Sequence, residues 1–213
     1  MATSASPRTR FAIATAVTLA LVVVSYLWLD RPWARFAHAH TRPLELLSWA
    51  TEFNWLLQPA MILLAAAMGI YAVGARRLTR LQAIFLLTPV VYLTTRAVKD
   101  DLQWAFGRTW PEPWAVGPSL IGDGSYYFDP FNGTEAFQAF PSGTTASICA
   151  AVAVAWFWYP RWRLLYAAPV VVVSAALLLS DFHFLSDVIA GIYLGFSIGW
   201  IAAVVWDANV RPP

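Results

Sequence analysis

The sequence predicts an all-α protein, an integral membrane bundle of six transmembrane helices plus a short interfacial helix, with residues 1–213 forming a single membrane domain. Two observations carry this expectation. Of the 213 residues, 59% are hydrophobic and 12% charged, against about 45–50% and about 25% in average soluble domains, and the mean hydropathy is +0.57. The apolar residues also gather into six runs, each close to the ~20 residues that a bilayer-crossing helix needs. Together these exclude a disordered chain, a coiled coil and an ordinary soluble enzyme. A net charge of +2 leaves no basic surface large enough for a nucleic-acid backbone, so the expected surroundings are membrane lipids and not nucleic acid.

The first expected span covers residues 11–29, preceded by Arg8 and Arg10. Signal-peptide cores run about 7–15 residues, so this longer run reads as a retained anchor. Residues 43–54 bring Leu44, Leu47 and Ala50 to one face, with Trp49 and Phe53 nearby, as in a helix lying in the interface. Spans at 55–73, 79–98, 143–159, 164–180 and 184–206 follow, the fourth and fifth separated by Pro160, Arg161 and Arg163. The Gly- and Pro-rich stretch 99–141 reads as an ordered outer loop, in which Asn132-Gly133-Thr134 is a turn. Trp28, Trp33, Trp55, Trp158, Trp162 and Trp206 stand at span ends, as an aromatic belt does. With a cytoplasmic N-terminus, eight of the basic residues fall on the inner side and six on the outer, and Asp207 is the one inner acid. The positive-inside rule therefore predicts that both termini are cytoplasmic. The single Cys149 reads as a small buried hydrophobe and excludes a Cys-rich metal site.

Three polar clusters collect at outer span ends. The first is Arg96, Lys99, Asp100, Asp101 and Gln103, followed by Gly107-Arg108-Thr109-Trp110-Pro111; positions 96, 99 and 103 share a helical face. The second, Phe140-Pro141-Ser142-Gly143-Thr144-Thr145, reads as a helix start whose free amides favour an anion, with Ser142 also a natural cap. In the third, Asp181 to Asp187, His183 and Asp187 are four residues apart and so are neighbours on one helix. A carboxylate against one imidazole nitrogen fixes the tautomer and raises the basicity of the other, as a histidine nucleophile requires. An amide cradle, the cations Lys99 and Arg108 and a candidate nucleophile at one mouth point to phosphoryl transfer. No Walker-type loop is present, so a nucleotide site is not expected.

The order Gly107-Arg108-Thr109-Trp110-Pro111, Phe140-Pro141-Ser142-Gly143 and His183-x3-Asp187 resembles the phosphatidic acid phosphatase type 2 superfamily of membrane lipid phosphate phosphatases, over roughly residues 95–192. Phe106 to Glu112, with Asp123-Gly124 and Asp129-Pro130-Phe131, resembles a bacterial branch of it, which implies the inner membrane with the site facing the periplasm or exterior. The resemblance implies that His183 attacks phosphorus and becomes a phosphohistidine, that Asp187 orients it, and that Lys99, Arg108, Ser142 and Gly143 hold the phosphate. It implies a phosphorylated lipid as substrate and neither metal nor cofactor; a site built from His38, His40 and His183 is a formal alternative.

This chain departs from the family pattern at four places. Gln103 stands where the family has lysine, with Lys99 one turn earlier; Trp110 replaces the arginine before proline; Leu177 replaces the arginine of the third motif; and Thr144 replaces the general-acid histidine. A threonine hydroxyl releases no proton near neutral pH. A diphosphate lipid, whose leaving phosphate needs no proton, is therefore the expected substrate over a monophosphate ester. His38, His40, Asp129 and Glu135 are the outer-side groups that could replace the missing acid, the two histidines otherwise reading as an exposed interfacial pair. The contrasting expectation is a catalytically impaired or engineered-inactive member that binds or moves phosphorylated lipids.

Overall fold

The computed structural model describes residues 6–41, 45–75, 77–112 and 116–210, the side chains of 45–54 excepted. Its long helices are α1 (Pro7–His40), α2 (Glu45–Gly74), α3 (Arg80–Phe106), α4 (Gly143–Trp158), α5 (Arg163–Leu179) and α6 (Leu185–Asn209). All but α4 are long and apolar enough to cross a membrane. Their outward faces carry large apolar side chains, such as Val73 at 92% and Leu164 at 90% exposure, which water does not tolerate on this scale and lipid does. The bundle is a membrane protein.

The helix α4 occupies the centre. Its apolar and small residues are largely buried, and it packs most intimately against α6 through Gly191, Gly195 and Gly199. A Cβ at Gly195 would stand 2.5 Å from the Ala146 carbonyl oxygen and 2.6 Å from Cys149 Cβ, and one at Gly191 would stand 2.6 Å from the Ser142 oxygen. This spacing of small residues lets two backbones approach closely within a membrane. At 16 residues α4 is about 24 Å long, short of the ~30 Å hydrocarbon core. Its N-terminus is accordingly enclosed by protein.

Three helices differ from the sequence expectation in ways that shape the site. The first span does not stop at Leu29: α1 passes through a π-helical turn, Ser25–Leu29, and continues to His40. That turn resets the register, so that Ser25, Asp30, Ala34 and Ala37 face inward, whereas Pro7–Val24 buries nothing. The stretch expected as a separate interfacial helix is continuous with the second span in α2, residues 42–44 lying outside the described part. Finally, α3 runs on to Phe106 and ends on Gly107, whose φ of 58° closes the helix with an N–H bond to the Gln103 carbonyl at 2.9 Å. A Cβ there would collide with the Asp129 carbonyl, so the loop can fold back over α3 only with glycine in this place. Trp158, expected in the aromatic belt, is buried and donates to Asp207 at 3.1 Å.

Candidate active site

Two helix starts and one helix end meet at one end of the bundle. Ser142 caps α4, its Oγ accepting from the Thr145 amide at 3.4 Å, and its own N–H donates to the Asp187 carbonyl at 3.0 Å. That bond joins the second and third sequence clusters through main chain. Lys99 lies across Gly143: a Cβ on this glycine would meet Lys99 Cδ at 2.9 Å and Nζ at 3.6 Å. Its ammonium donates to Gln103 Oε1 at 3.0 Å and pairs with Asp100, while Gln103 Nε2 donates to the Pro141 carbonyl at 3.1 Å. Gln103 thus positions the lysine and ties α3 to the segment entering α4. The free amides at the start of α4 and the Lys99 ammonium form an anion-attracting mouth. Thr144 is partly exposed there.

Behind this mouth lies a buried ionic network. His183 is 4% exposed, and its Nδ1 stands 3.4 Å from Asp187 Oδ2, within reach of tightening on substrate binding. The same oxygen accepts from the Phe184 amide at 3.0 Å, capping α6. With Nδ1 on the carboxylate, Nε2 is the nitrogen left with a free lone pair; the Trp110 ring packs 5.0 Å from the imidazole. The other Asp187 oxygen pairs with Arg108 Nη1. Arg108 also donates to Ser186 Oγ at 2.6 Å, Asp30 Oδ2 at 2.8 Å and the Tyr126 hydroxyl at 3.1 Å. Ser186 binds Asp30 twice, by its amide at 3.0 Å and by its hydroxyl. Burial opposes the Arg108 charge, but Asp187 and Asp30 outweigh it and hold its pKa above the ordinary value. Burial, set against Arg108 and helped by Asp30, raises that of the Tyr126 hydroxyl. Asp30 and Asp187 carry two negative charges against one guanidinium, so the cluster keeps one net negative charge beside His183.

The expected residues divide accordingly. His183, Asp187 and Ser142 share one hydrogen-bonded unit, and Lys99 packs on Gly143 beside Thr144. Arg108 is fully buried and its guanidinium pairs with two carboxylates, Asp30 and Asp187. The cause is the outer loop, which clamps its main chain, Ala139 N donating to the Arg108 carbonyl at 3.2 Å while Thr109 N donates to Tyr127 at 3.3 Å. Leu177 is buried, and its carbonyl accepts from the amides of Phe182 and His183. Sequence reasoning missed Asp30, Ser186 and Tyr126. For Asp30 a signal exists, an acid at the end of an apolar run.

The histidines of α1 do not form the expected exposed pair. His40 stacks on Phe36 at 4.5 Å, but His38 Nδ1 reaches the buried Asp181 at 3.0 Å. His38, Glu112 and Asp181 bring ligand atoms within 4.8 Å of one another, the combination among the described residues with the donors to hold a metal ion. The three histidines thus serve different partners. Asp129 accepts from the Asn132 side chain at 2.8 Å within the turn at 132–134, and Glu135 is exposed, its carbonyl accepting from Trp110 Nε1 at 2.8 Å.

Known proteins resemble this chain in sequence and in fold. The chain is 28% identical over 207 residues to a lipid A 1-phosphatase of Rhizobium johnstonii, covering 94% of this chain and 82% of the relative. It is 26% identical over 211 residues to a lipid A 1-phosphatase of Rhizobium etli, covering 94% and 87%. The fold superposes with a TM-score of 0.64 on the crystal structure of a transmembrane PAP2-type phosphatidylglycerolphosphate phosphatase from Bacillus subtilis, at 18% identity and covering 94% and 98% of the two chains. The sequence profile of the PAP2 superfamily matches residues 83–211, the part that carries Lys99, Arg108, Ser142, His183 and Asp187, and the chain belongs to that superfamily.

Proposed function

We propose that the protein is a lipid phosphatase that cleaves phosphate from an amphiphilic phosphate, preferentially a lipid diphosphate, through a phosphohistidine on His183. The observation that carries this is the His183–Asp187 pair held against the α4 start by the Ser142–Asp187 main-chain bond. In the first step Nε2 of His183 bonds to phosphorus as the bond from phosphorus to the leaving oxygen breaks; Asp187 keeps the Nδ1 proton and balances the positive charge that grows on the ring. The Gly143 and Thr144 amides and Lys99 hold the phosphoryl oxygens. In the second step water attacks phosphorus, releasing inorganic phosphate and restoring His183. Asp30 and Arg108 act through Asp187, and the surplus negative charge of the three-residue cluster favours a cationic ring.

Thr144 sets the substrate preference. A departing lipid phosphate has a conjugate acid of pKa about 6 and leaves without a proton, whereas an alkoxide, a far stronger base, does not. Polyprenyl diphosphates fit best; phosphatidic acid, phosphatidylglycerophosphate and a lipid A phosphate, the classes nearest to the relatives' names, are the monoester alternatives. The site faces the periplasm or cell exterior, and both termini are cytoplasmic. A second reading, a member that binds phosphorylated lipids without turning them over, is favoured by Thr144, by the burial of Arg108 and by Leu177. Phosphate release from lipid mono- and diphosphates in mixed micelles separates the two. The phosphatase reading expects release that is faster with diphosphates and abolished in His183→Ala. Saturable binding with no release above the His183→Ala background establishes the second reading instead.

A further inference from the structure

About 30 Å along α1 from Asp30, at ~1.5 Å per residue, the bundle carries a groove on the opposite membrane face. Its volume is about 470 Å³, within the ~300–1,000 Å³ of ordinary ligand sites, and it lies between the start of α1, the end of α4, the start of α5 and Tyr193 to Val204 of α6. Phe11, Phe196 and Trp200 line its body, with Phe11 and Trp200 stacked at 4.8 Å. Tyr193, hydrogen-bonded to Thr15 at 2.5 Å, lines it as well. Arg10 and Arg163 also line it, both exposed. Arg163 spends its Nε on the Trp156 carbonyl at 3.5 Å, and neither arginine meets a carboxylate among the described residues. The described acid on this face, Asp207, is taken by Arg80 and Trp158.

We infer that this groove binds one anionic phospholipid of the leaflet opposite the active site, with the phosphate between Arg10 and Arg163 and an acyl chain along Phe11 and Trp200. Length supports the assignment. From Tyr193 to Val204 the groove follows α6 for about 16 Å, close to the ~15 Å depth of one leaflet's hydrocarbon. Charge supports it as well, since basic pockets between spans recognise anionic headgroups. A lipid here has a structural consequence. Pro7–Val24 of α1 buries no residue of its own, so a lipid wedged against it fixes the helix whose far end delivers Asp30 to the catalytic cluster.

The test is lipid retention by the full chain in detergent, read by native mass spectrometry with dioleoyl phosphatidylglycerol, dioleoyl phosphatidylcholine and inorganic phosphate as probes. One phosphatidylglycerol is expected to bind, in preference to phosphatidylcholine and undisplaced by phosphate. Arg10→Gln/Arg163→Gln should weaken it roughly 30-fold, about 1 kcal/mol per arginine. Arg8→Gln/Arg161→Gln, which alters the same face outside the groove, and His183→Ala should leave it unchanged. Ser197→Trp, which fills the groove and keeps both arginines, should expel the lipid and serves also where the double arginine variant does not fold. Equal retention of both phospholipids, equal loss in the Arg8/Arg161 variant, displacement by free phosphate or full retention in Ser197→Trp would each overturn the assignment.

Discussion

The buried cluster of Asp30, Arg108 and Asp187 makes a prediction that depends on charge and not on size. In Arg108→Met, two carboxylates remain with no cation, both fully buried. Removing one partner of a buried ion pair costs about 3–5 kcal/mol, which at ~2–4 °C per kcal/mol for a chain of this size lowers the apparent Tm by roughly 6–20 °C. Asp30→Asn removes a charge but keeps a hydrogen-bonding side chain, at a cost of about 1.5–3 kcal/mol. The double variant returns the cluster to its native net charge of minus one, carried by Asp187 alone. It should therefore be more stable than Arg108→Met by about 1–3 kcal/mol, the coupling found between residues of one network. Thermal unfolding in detergent, followed by circular dichroism across the four-protein cycle, measures this. If the double variant loses the sum of the two single losses, the cluster is held by packing and the surplus-charge argument fails. The same surplus charge predicts that Asp30→Asn lowers kcat with little change in KM, because it acts on the charged ring and not on the bound phosphate.

Three further outcomes follow from the geometry. Thr144→His restores a proton donor beside Gly143 and should raise turnover of lipid monophosphates by about 10²–10⁴-fold while changing diphosphate turnover far less; equal gains on both would remove the leaving-group explanation. Lys99→Met should lower kcat/KM by roughly 10–150-fold, the loss of a charged hydrogen bond of about 1.5–3 kcal/mol. Gln103→Met, which frees the lysine and also removes the bond to the Pro141 carbonyl, should cost about fivefold; a larger effect from Gln103 than from Lys99 would reverse their roles in steady-state assays. Gly195→Ala forces a methyl against the Ala146 carbonyl and Cys149, and overpacking of this kind costs about 1–3 kcal/mol. Gly69→Ala, with open space around it, should leave the apparent Tm unchanged or raise it.

Much of this arrangement was legible in the sequence because hydropathy and short-range spacing carry it. Six apolar runs gave six helices. His183 and Asp187 land together although His183 stands just ahead of α6 and only Asp187 lies in its first turn, because the Phe184 amide donates to the Asp187 carboxylate and the Leu177 carbonyl holds the His183 amide. What escaped depended on partners distant in sequence. Asp30 lies 78 residues from Arg108, and hydropathy ends the first span just before it, although the helix itself runs on through a π turn. Arg108 is long enough to face either the mouth or the interior, and only the main-chain clamp of the outer loop decides which. Gln103 reads in sequence as a mismatch to the family lysine, yet it contacts the lysine one turn earlier. His38 has no local pattern; its partner Asp181 is supplied by the loop ahead of α6.

The central claim is that His183 carries the phosphoryl group. Acid quench would destroy the nitrogen–phosphorus bond, so the direct measurement is an alkaline quench of the full-length protein during turnover of a lipid diphosphate, followed by peptide mass spectrometry. A phosphoryl group on the peptide containing His183, absent in His183→Ala, is the predicted result. Phosphate released at the normal rate with no phosphorylated His183 at any time point, or with undiminished release from His183→Ala, would contradict it.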